Sequence, residues 1–68
     1  MMKYIITNNG PILFPATIPN ETFSGEIKSH GYCVFFFSSE SKRFQCFVLP
    51  EITATPQDSE IIETFLNA

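Results

Sequence analysis

The side chains with the richest chemistry in this sequence are two cysteines, Cys33 and Cys46, which flank an aromatic segment and a polar turn. A zinc site needs about four Cys or His ligands in recognisable pairs. The sequence has only two cysteines and one histidine, so it predicts no metal site. The remaining alternatives are a cross-strand disulfide and two reduced, buried thiols, and the second is expected in a reducing compartment.

The single histidine, His30, follows Ser29 and lies near Glu26, so the residue types of a hydrolase are present. However, the sequence lacks the Gly-x-Ser-x-Gly elbow, a phosphate-binding glycine loop and a calcium-loop pattern. A chain of 68 residues also offers little room for a ligand pocket of about 300 Å³ or more. We therefore expect no enzymatic activity, no cofactor and no small-molecule substrate.

Composition and charge narrow the classes of partner. The formal net charge is −3, and the four basic residues are scattered rather than gathered in the basic stripe that nucleic-acid binding requires. The N-terminal apolar run is too short for a secretory signal, and no stretch approaches the roughly 20 apolar residues of a membrane span. The sequence thus predicts a single domain over residues 1–68 in the cytoplasm, without membrane contact.

The elements that must position these residues begin with a hairpin. Residues 3–8 are β-branched and predict a strand, and Asn9-Gly10 predicts a two-residue type I′ turn. The second strand would be Ile12-Leu13-Phe14, brief and at a sheet edge because Pro11 lacks an N–H. This turn pairs Ile6 with Leu13 and Ile5 with Phe14. Residues 15–29 are irregular and predict a loop, with Asn20 capping one helical turn that ends at Phe23.

A second hairpin is predicted from strands at 31–37 and 43–49, joined by a turn at 38–41 or 39–40. Either turn sets one register, with the predicted pairs Cys33–Cys46, Phe35–Phe44, Val34–Gln45 and Phe36–Arg43. Since side chains alternate across a sheet, one face would carry Cys33, Phe35, Phe37, Phe44 and Cys46 and would form the core. The other would carry Tyr32, Val34, Phe36, Arg43, Gln45 and Phe47.

Three consecutive phenylalanines, Phe35 to Phe37, imply that both faces of this strand are at least partly covered. One face is the natural site for the C-terminal helix. The other would need the loop at 15–29 or a partner chain as its cover.

The C-terminal segment predicts a helix, with Thr55 as N-cap and Pro56 at the first helical position, after a connector at 51–54. Its apolar stripe comprises Ile61, Ile62, Phe65 and Leu66. The acidic residues Asp58, Glu60 and Glu63 are expected to point away from that stripe.

These elements predict an α+β fold in the order β-β-loop-β-β-α, with a four-stranded antiparallel sheet packed by one helix; an SH3-like, partly closed barrel is the alternative. The chain resembles no family by motif, and its short character is typical of small bacterial or phage reading frames. The function expected is a non-enzymatic protein-interaction module, either a homodimer or an inhibitor or adaptor of a larger protein. Its binding residues would be Tyr32, Val34, Phe36, Arg43, Gln45 and Phe47. The alternative is single-stranded nucleic-acid binding by aromatic stacking on the same face.

Overall fold

Strands and one C-terminal helix follow each other in the predicted order. The structure is a computed structural model that describes residues 1–23, 25–49 and 55–68. The elements are β1 (Met2–Thr7), β2 (Gly10–Pro15), a 3-10 helix (Asn20–Thr22), β3 (Ile27–Ser38), β4 (Arg43–Val48) and α1 (Pro56–Leu66). The predicted connector at 51–54 lies outside the described residues.

The sheet is antiparallel throughout, with the strand order β2-β1-β3-β4. Its two outermost strands, β2 and β4, do not pair with each other, so the sheet is open and the barrel alternative is wrong. β2 is an edge strand, as Pro11 predicts. No helix in the described part of the chain has the length and apolar character that crossing a membrane requires.

The register predicted for the first hairpin is wrong by two residues. Thr7 pairs with Gly10 and Ile5 with Ile12, so Asn8 and Asn9 form the turn and β2 starts at Gly10. A type I′ turn needs positive φ at both central residues, and here only Gly10 has it, with φ 109°. The Thr7 hydroxyl favours the observed turn: it donates to the Gly10 carbonyl at 3.0 Å and accepts from the Asn9 N–H at 3.1 Å.

The second hairpin is also displaced by two residues from the predicted register. Its loop is residues 39–42, and the observed pairs are Cys33–Val48, Val34–Phe47, Phe35–Cys46, Phe36–Gln45, Phe37–Phe44 and Ser38–Arg43. The loop closes one residue later because the Lys42 N–H donates to the Ser38 carbonyl at 2.7 Å and Lys42 takes a left-handed φ of 57°. A shift of two residues keeps each side chain on its face, so the predicted face assignment is confirmed.

β3 is much longer than the predicted strand at 31–37. It begins at Ile27, and residues up to Cys33 pair with β1, whereas Cys33 to Ser38 pair with β4. Residues 27–29 were expected in a loop, but pairing with β1 holds their polar backbone in a strand. In the remainder of the predicted loop, Asn20 starts a 3-10 turn but does not cap it, because Pro19 is the N-cap and makes no side-chain cap hydrogen bond.

The hydrophobic core lies between α1 and one face of the sheet, here called the helix-packed face. Its buried residues come from three strands and the helix: Tyr4, Ile6, Cys33, Cys46 and Ile62. Leu66, one turn after Ile62, packs against the same cluster. Ile61 and Phe65 are exposed, so only half of the predicted apolar stripe is buried.

The segment at residues 16–23 covers part of the opposite face. Ile5 and Phe14 are buried there, and the Phe23 ring lies 4.6 Å from the Phe14 ring. Lys3 fixes the segment by donating to the Ile18 carbonyl at 2.7 Å, while its ammonium lies 5.2 Å from the centre of the Phe14 ring. The loop was one of the two covers that the sequence allowed for this face. It packs on the β1–β2 half.

Asp58 joins the start of α1 to the sheet. Its carboxylate accepts hydrogen bonds from the Tyr4 hydroxyl at 2.7 Å and the Ser29 hydroxyl at 3.0 Å, and from both the N–H and hydroxyl of Thr55 at 3.1 Å. The side chain is buried on the same side of the helix as Ile62, so the expectation that Asp58 points away from the apolar stripe is wrong. Its position one turn before Ile62 places it on the buried side of the helix.

These donors determine the protonation state of Asp58. Burial by itself would raise its pKa, but the hydrogen bonds from Tyr4, Thr55 and Ser29 outweigh burial and lower the pKa below its usual value. For Tyr4, burial and the nearby Asp58 carboxylate raise the phenol pKa. The pair is therefore a neutral phenol donating to a carboxylate, which is the stronger, charge-assisted form of hydrogen bond.

Asp58→Asn should lower the free energy of unfolding by about 1.5–3 kcal/mol at neutral pH, because hydrogen bonds to a charged acceptor are lost. The folded pKa lies below the unfolded value, so the stabilisation is complete above the unfolded pKa of about 3.9 and is lost as the pH falls through the folded pKa. Urea unfolding of both proteins from about pH 7 to about pH 2 checks this, since their difference should shrink on acidification. Glu60→Gln, on the exposed side of α1, is the matched control. A difference that stays constant with pH would contradict the assignment.

Candidate protein-binding surface

The structure brings together all six residues that the sequence proposed for partner binding. Tyr32, Val34 and Phe36 alternate along β3, and Arg43, Gln45 and Phe47 alternate along β4, so all six lie on the face opposite α1. We call this set the aromatic surface. It occupies the β3–β4 half of that face, beside the half covered by residues 16–23.

The centre of the aromatic surface is apolar and exposed. Phe36 is 48% exposed and Phe47 56%, and their rings stack at 6.0 Å with an interplanar angle of 19°. Val34 is opposite Phe47 and is 42% exposed. Arg43 is exposed at one end and Gln45 is half-buried beside Phe36. Arg43 is the single charged side chain within residues 32–38 and 43–48.

The surface is uncovered because α1 is committed to the other face. The Glu63 carboxylate accepts the Cys46 N–H at 2.9 Å, and the Asn67 side chain accepts the Phe44 N–H at 2.8 Å and donates to the Phe44 carbonyl at 3.1 Å. These bonds hold the C-terminal half of the helix along the outer edge of β4. Asp58 holds its N-terminal end, so the two ends together fix which face is covered.

The covering predicted for three consecutive phenylalanines is only partly correct. Phe35 is half-buried under α1, but Phe36 is exposed on one face and Phe37 is 55% exposed on the other. The reason is that β3 extends past the end of β1, so residues 34–38 project beyond most of the core. The Phe37 ring makes an edge contact with Phe44 at 5.3 Å. The sequence did not indicate the exposure of Phe37, which was expected on the core face, or that of Phe65 on α1, which is 56% exposed.

The two cysteines are buried, free thiols on the helix-packed face. They are diagonal neighbours rather than directly opposed, because Cys33 pairs with Val48 and Cys46 with Phe35, which corrects the predicted Cys33–Cys46 pair. Burial, followed by the neighbouring Cys33 thiol, raises the pKa of Cys46 to about 12, and burial also raises the pKa of Cys33. Both side chains therefore stay protonated at neutral pH and pack as small apolar groups.

His30 lines a shallow concavity of about 200 Å³ together with Lys3, Asn20, Gly31 and Tyr32. This volume is below the roughly 300 Å³ at which ligand pockets usually begin. The side-chain oxygen of Asn20 is buried there without a hydrogen-bond partner in the described part of the chain. Within the same residues, no group of three or more His, Cys, Asp and Glu side chains is arranged to hold a metal ion.

Comparisons of this chain with protein-family models, with curated proteins and with solved structures find no match.

If the aromatic surface serves binding rather than stability, truncating it should cost little folding free energy. Phe47→Ser should reduce the free energy of unfolding by less than about 1 kcal/mol, mainly through the lost ring contact with Phe36. Ile62→Ala, in the buried core, should cost about 2–5 kcal/mol. Chemical denaturation of the two variants measures this contrast. If Phe47→Ser lowered the free energy of unfolding as much as Ile62→Ala does, the Phe47 ring would be covered in the folded chain.

Proposed function

We propose that this protein is a non-enzymatic interaction module that binds a protein partner through the aromatic surface. The observation that carries the proposal is the apolar centre around Phe36 and Phe47, which neither α1 nor residues 16–23 cover. Contiguous exposed apolar patches with a polar rim are typical of interaction sites.

The composition of the surface supports a protein partner. Interface centres are enriched in Tyr, Phe and Arg and depleted of Lys, Glu and Asp. Tyr32, Phe36, Phe47 and Arg43 are of the enriched types, and no acidic side chain is in the set. The two stacked rings form a rigid platform that loses little side-chain entropy on binding, which suits the buried anchor of an interface.

The charge of Arg43 indicates which chemical groups a partner would place against the aromatic surface. Arg43 is exposed at the end of the platform next to the loop at 39–42. A partner that places an apolar side chain against Phe36 and Phe47 and a carboxylate or carbonyl near Arg43 would match both features. An inhibitor or adaptor of a larger protein would bind in this way.

The matched variants Phe47→Lys and Phe65→Lys test the proposal, because both side chains are 56% exposed and only Phe47 belongs to the aromatic surface. Affinity purification from the native cell, followed by mass spectrometry, should recover a partner with the wild type and with Phe65→Lys. Phe47→Lys should lose that partner by at least tenfold, an order-of-magnitude expectation for a central anchor residue. Equal recovery by Phe47→Lys would contradict the proposal, as would recovery of nothing by the wild type.

Single-stranded nucleic acid is the second candidate for the same surface. The near-parallel Phe36 and Phe47 rings favour it, because base stacking on aromatic side chains drives such binding. The net charge of −3 opposes it, since the phosphate backbone needs basic groups beside the platform. Titration with oligo-dT and oligo-U should show a salt-dependent shift that Phe36→Ala abolishes if this candidate is correct. The absence of binding at low salt would contradict nucleic-acid binding by this surface.

A further inference from the structure

One strand edge of the sheet is unprotected. β1 pairs with β3 only as far as the Met2–Cys33 pair, whereas β4 accompanies β3 to Ser38. On the side of β3 away from β4, no strand of the described residues therefore pairs with residues 34–38. This edge is distinct from the aromatic surface, which is a face of the sheet.

The backbone groups at this edge point outward. The N–H groups of Phe44 and Cys46 donate to the side chains of Asn67, the C-cap of α1, and Glu63 rather than to β3. Their partners across the ladder are Phe37 and Phe35. In an antiparallel ladder, the two residues of such a non-hydrogen-bonded pair direct their backbone groups away from each other. Phe35 and Phe37 thus present their N–H and C=O groups to the open edge, where another strand can pair with them.

The other two strand edges are protected. Along β4, Glu63 of α1 accepts the outward N–H of Cys46, and Asn67, the C-cap of α1, binds the outward N–H and C=O of Phe44. Along β2, Pro11 has no N–H, and the Pro15 carbonyl accepts the N–H of Ile18. Natural sheets protect their edges with such prolines and covering elements, and an edge left bare and apolar is open to strand pairing.

We propose that residues 34–38 form a homodimer interface, in which a second copy of the chain pairs its own residues 34–38 antiparallel with those of the first. With Phe35 and Phe37 pointing to the edge, the favoured register places Phe36 on the two-fold axis, opposite Phe36 of the second copy. Phe35 then forms a hydrogen-bonded pair with Phe37 of the second copy, and Phe37 does so with Phe35.

Three observations favour a second copy over another strand. The sequence from Gly31 to Ser39 contains no charged side chain, so self-pairing brings no like charges together. The register gives the exposed Phe37 ring an apolar neighbour on the helix-packed face, namely Phe35 of the second copy. One open edge per chain also closes a two-fold dimer without leaving further edges for growth.

The dimer extends the sheet and leaves the aromatic surface accessible. Phe36 and Phe47 of one copy and those of the other would form one row across the joined sheets, on the face away from both helices. Homodimer formation and partner binding are thus separate properties. If the wild type is a monomer but Phe47→Lys still loses the partner, only the homodimer proposal is overturned.

Sedimentation equilibrium of the 68-residue chain over a concentration series should give the mass of two copies. Phe36→Lys and Phe36→Glu should each sediment as monomers, with dimerisation weakened at least about tenfold, because each places two like charges at the axis. An equimolar mixture of these two variants should regain the dimer as a heterodimer. Phe65→Lys, with the same charge change on α1, should remain dimeric.

A second pair of variants isolates the backbone of the open edge. Phe37→Ala and Phe37→Pro both remove the ring, but only proline removes the N–H that would bond across the dimer, and no bond to β4 depends on that N–H. Phe37→Pro should dimerise at least about tenfold more weakly than Phe37→Ala, with unchanged circular dichroism.

Oxidation of Phe36→Cys should also yield a disulfide-linked dimer, since the Cα atoms of such a pair are within disulfide range.

A strictly monomeric wild type would overturn the homodimer, as would open-ended polymers. A dimer that is insensitive to Phe37→Pro and to the charge pair at position 36 would show that copies meet elsewhere, which overturns it as well.

Discussion

The Asp58 carboxylate is buried between α1 and the sheet and accepts hydrogen bonds from Tyr4 on β1 and Ser29 on β3. A buried charge is costly unless such donors surround it, so moving α1 to the other face would deprive Asp58 of its two donors on the sheet. Near the other end of the helix, Glu63 and Asn67 bind the backbone of β4. The rest of the architecture follows from the attachment of α1 to one face, because a four-stranded sheet has two faces and α1 can cover only one.

The open edge of β3 results from an imbalance of strand lengths. β3 has 12 residues, whereas β1, β2 and β4 each have six, so the two halves of β3 pair with different neighbours. Residues 16–23 cover the opposite face at Ile5 and Phe14. On the β3–β4 half of that face, neither α1 nor residues 16–23 cover Phe36 and Phe47. The open edge thus follows from the length of β3, whereas the exposed face follows from the positions of α1 and residues 16–23.

Much of this architecture is predictable from the sequence because strong local signals coincide. Thr55 and Pro56 mark the start of α1, and alternation along the second hairpin gives the correct faces even though its register is wrong by two residues. The turns were misjudged because their closure depends on details such as the Thr7 hydroxyl and the left-handed Lys42. Asp58 does cap the helix by accepting the Thr55 N–H, as a carboxylate in a first helical turn often does, but this local role gives no sign of its bonds to the sheet. Its partners Tyr4 and Ser29 are distant in sequence, although the spacing of Asp58, Ile62 and Leu66 on one side of the helix was a usable signal.

In solution, α1 should stay on the helix-packed face and leave Phe36 and Phe47 open to solvent. Nuclear magnetic resonance with a water-soluble paramagnetic probe measures this directly, by the relaxation enhancement of each aromatic ring. We expect strong enhancement at Phe36 and Phe47 and little at Tyr4 and Phe14, in the monomer and in the proposed dimer alike. Protection of Phe36 and Phe47 in dilute solution would contradict it, because part of the chain itself would then cover the surface assigned to the partner.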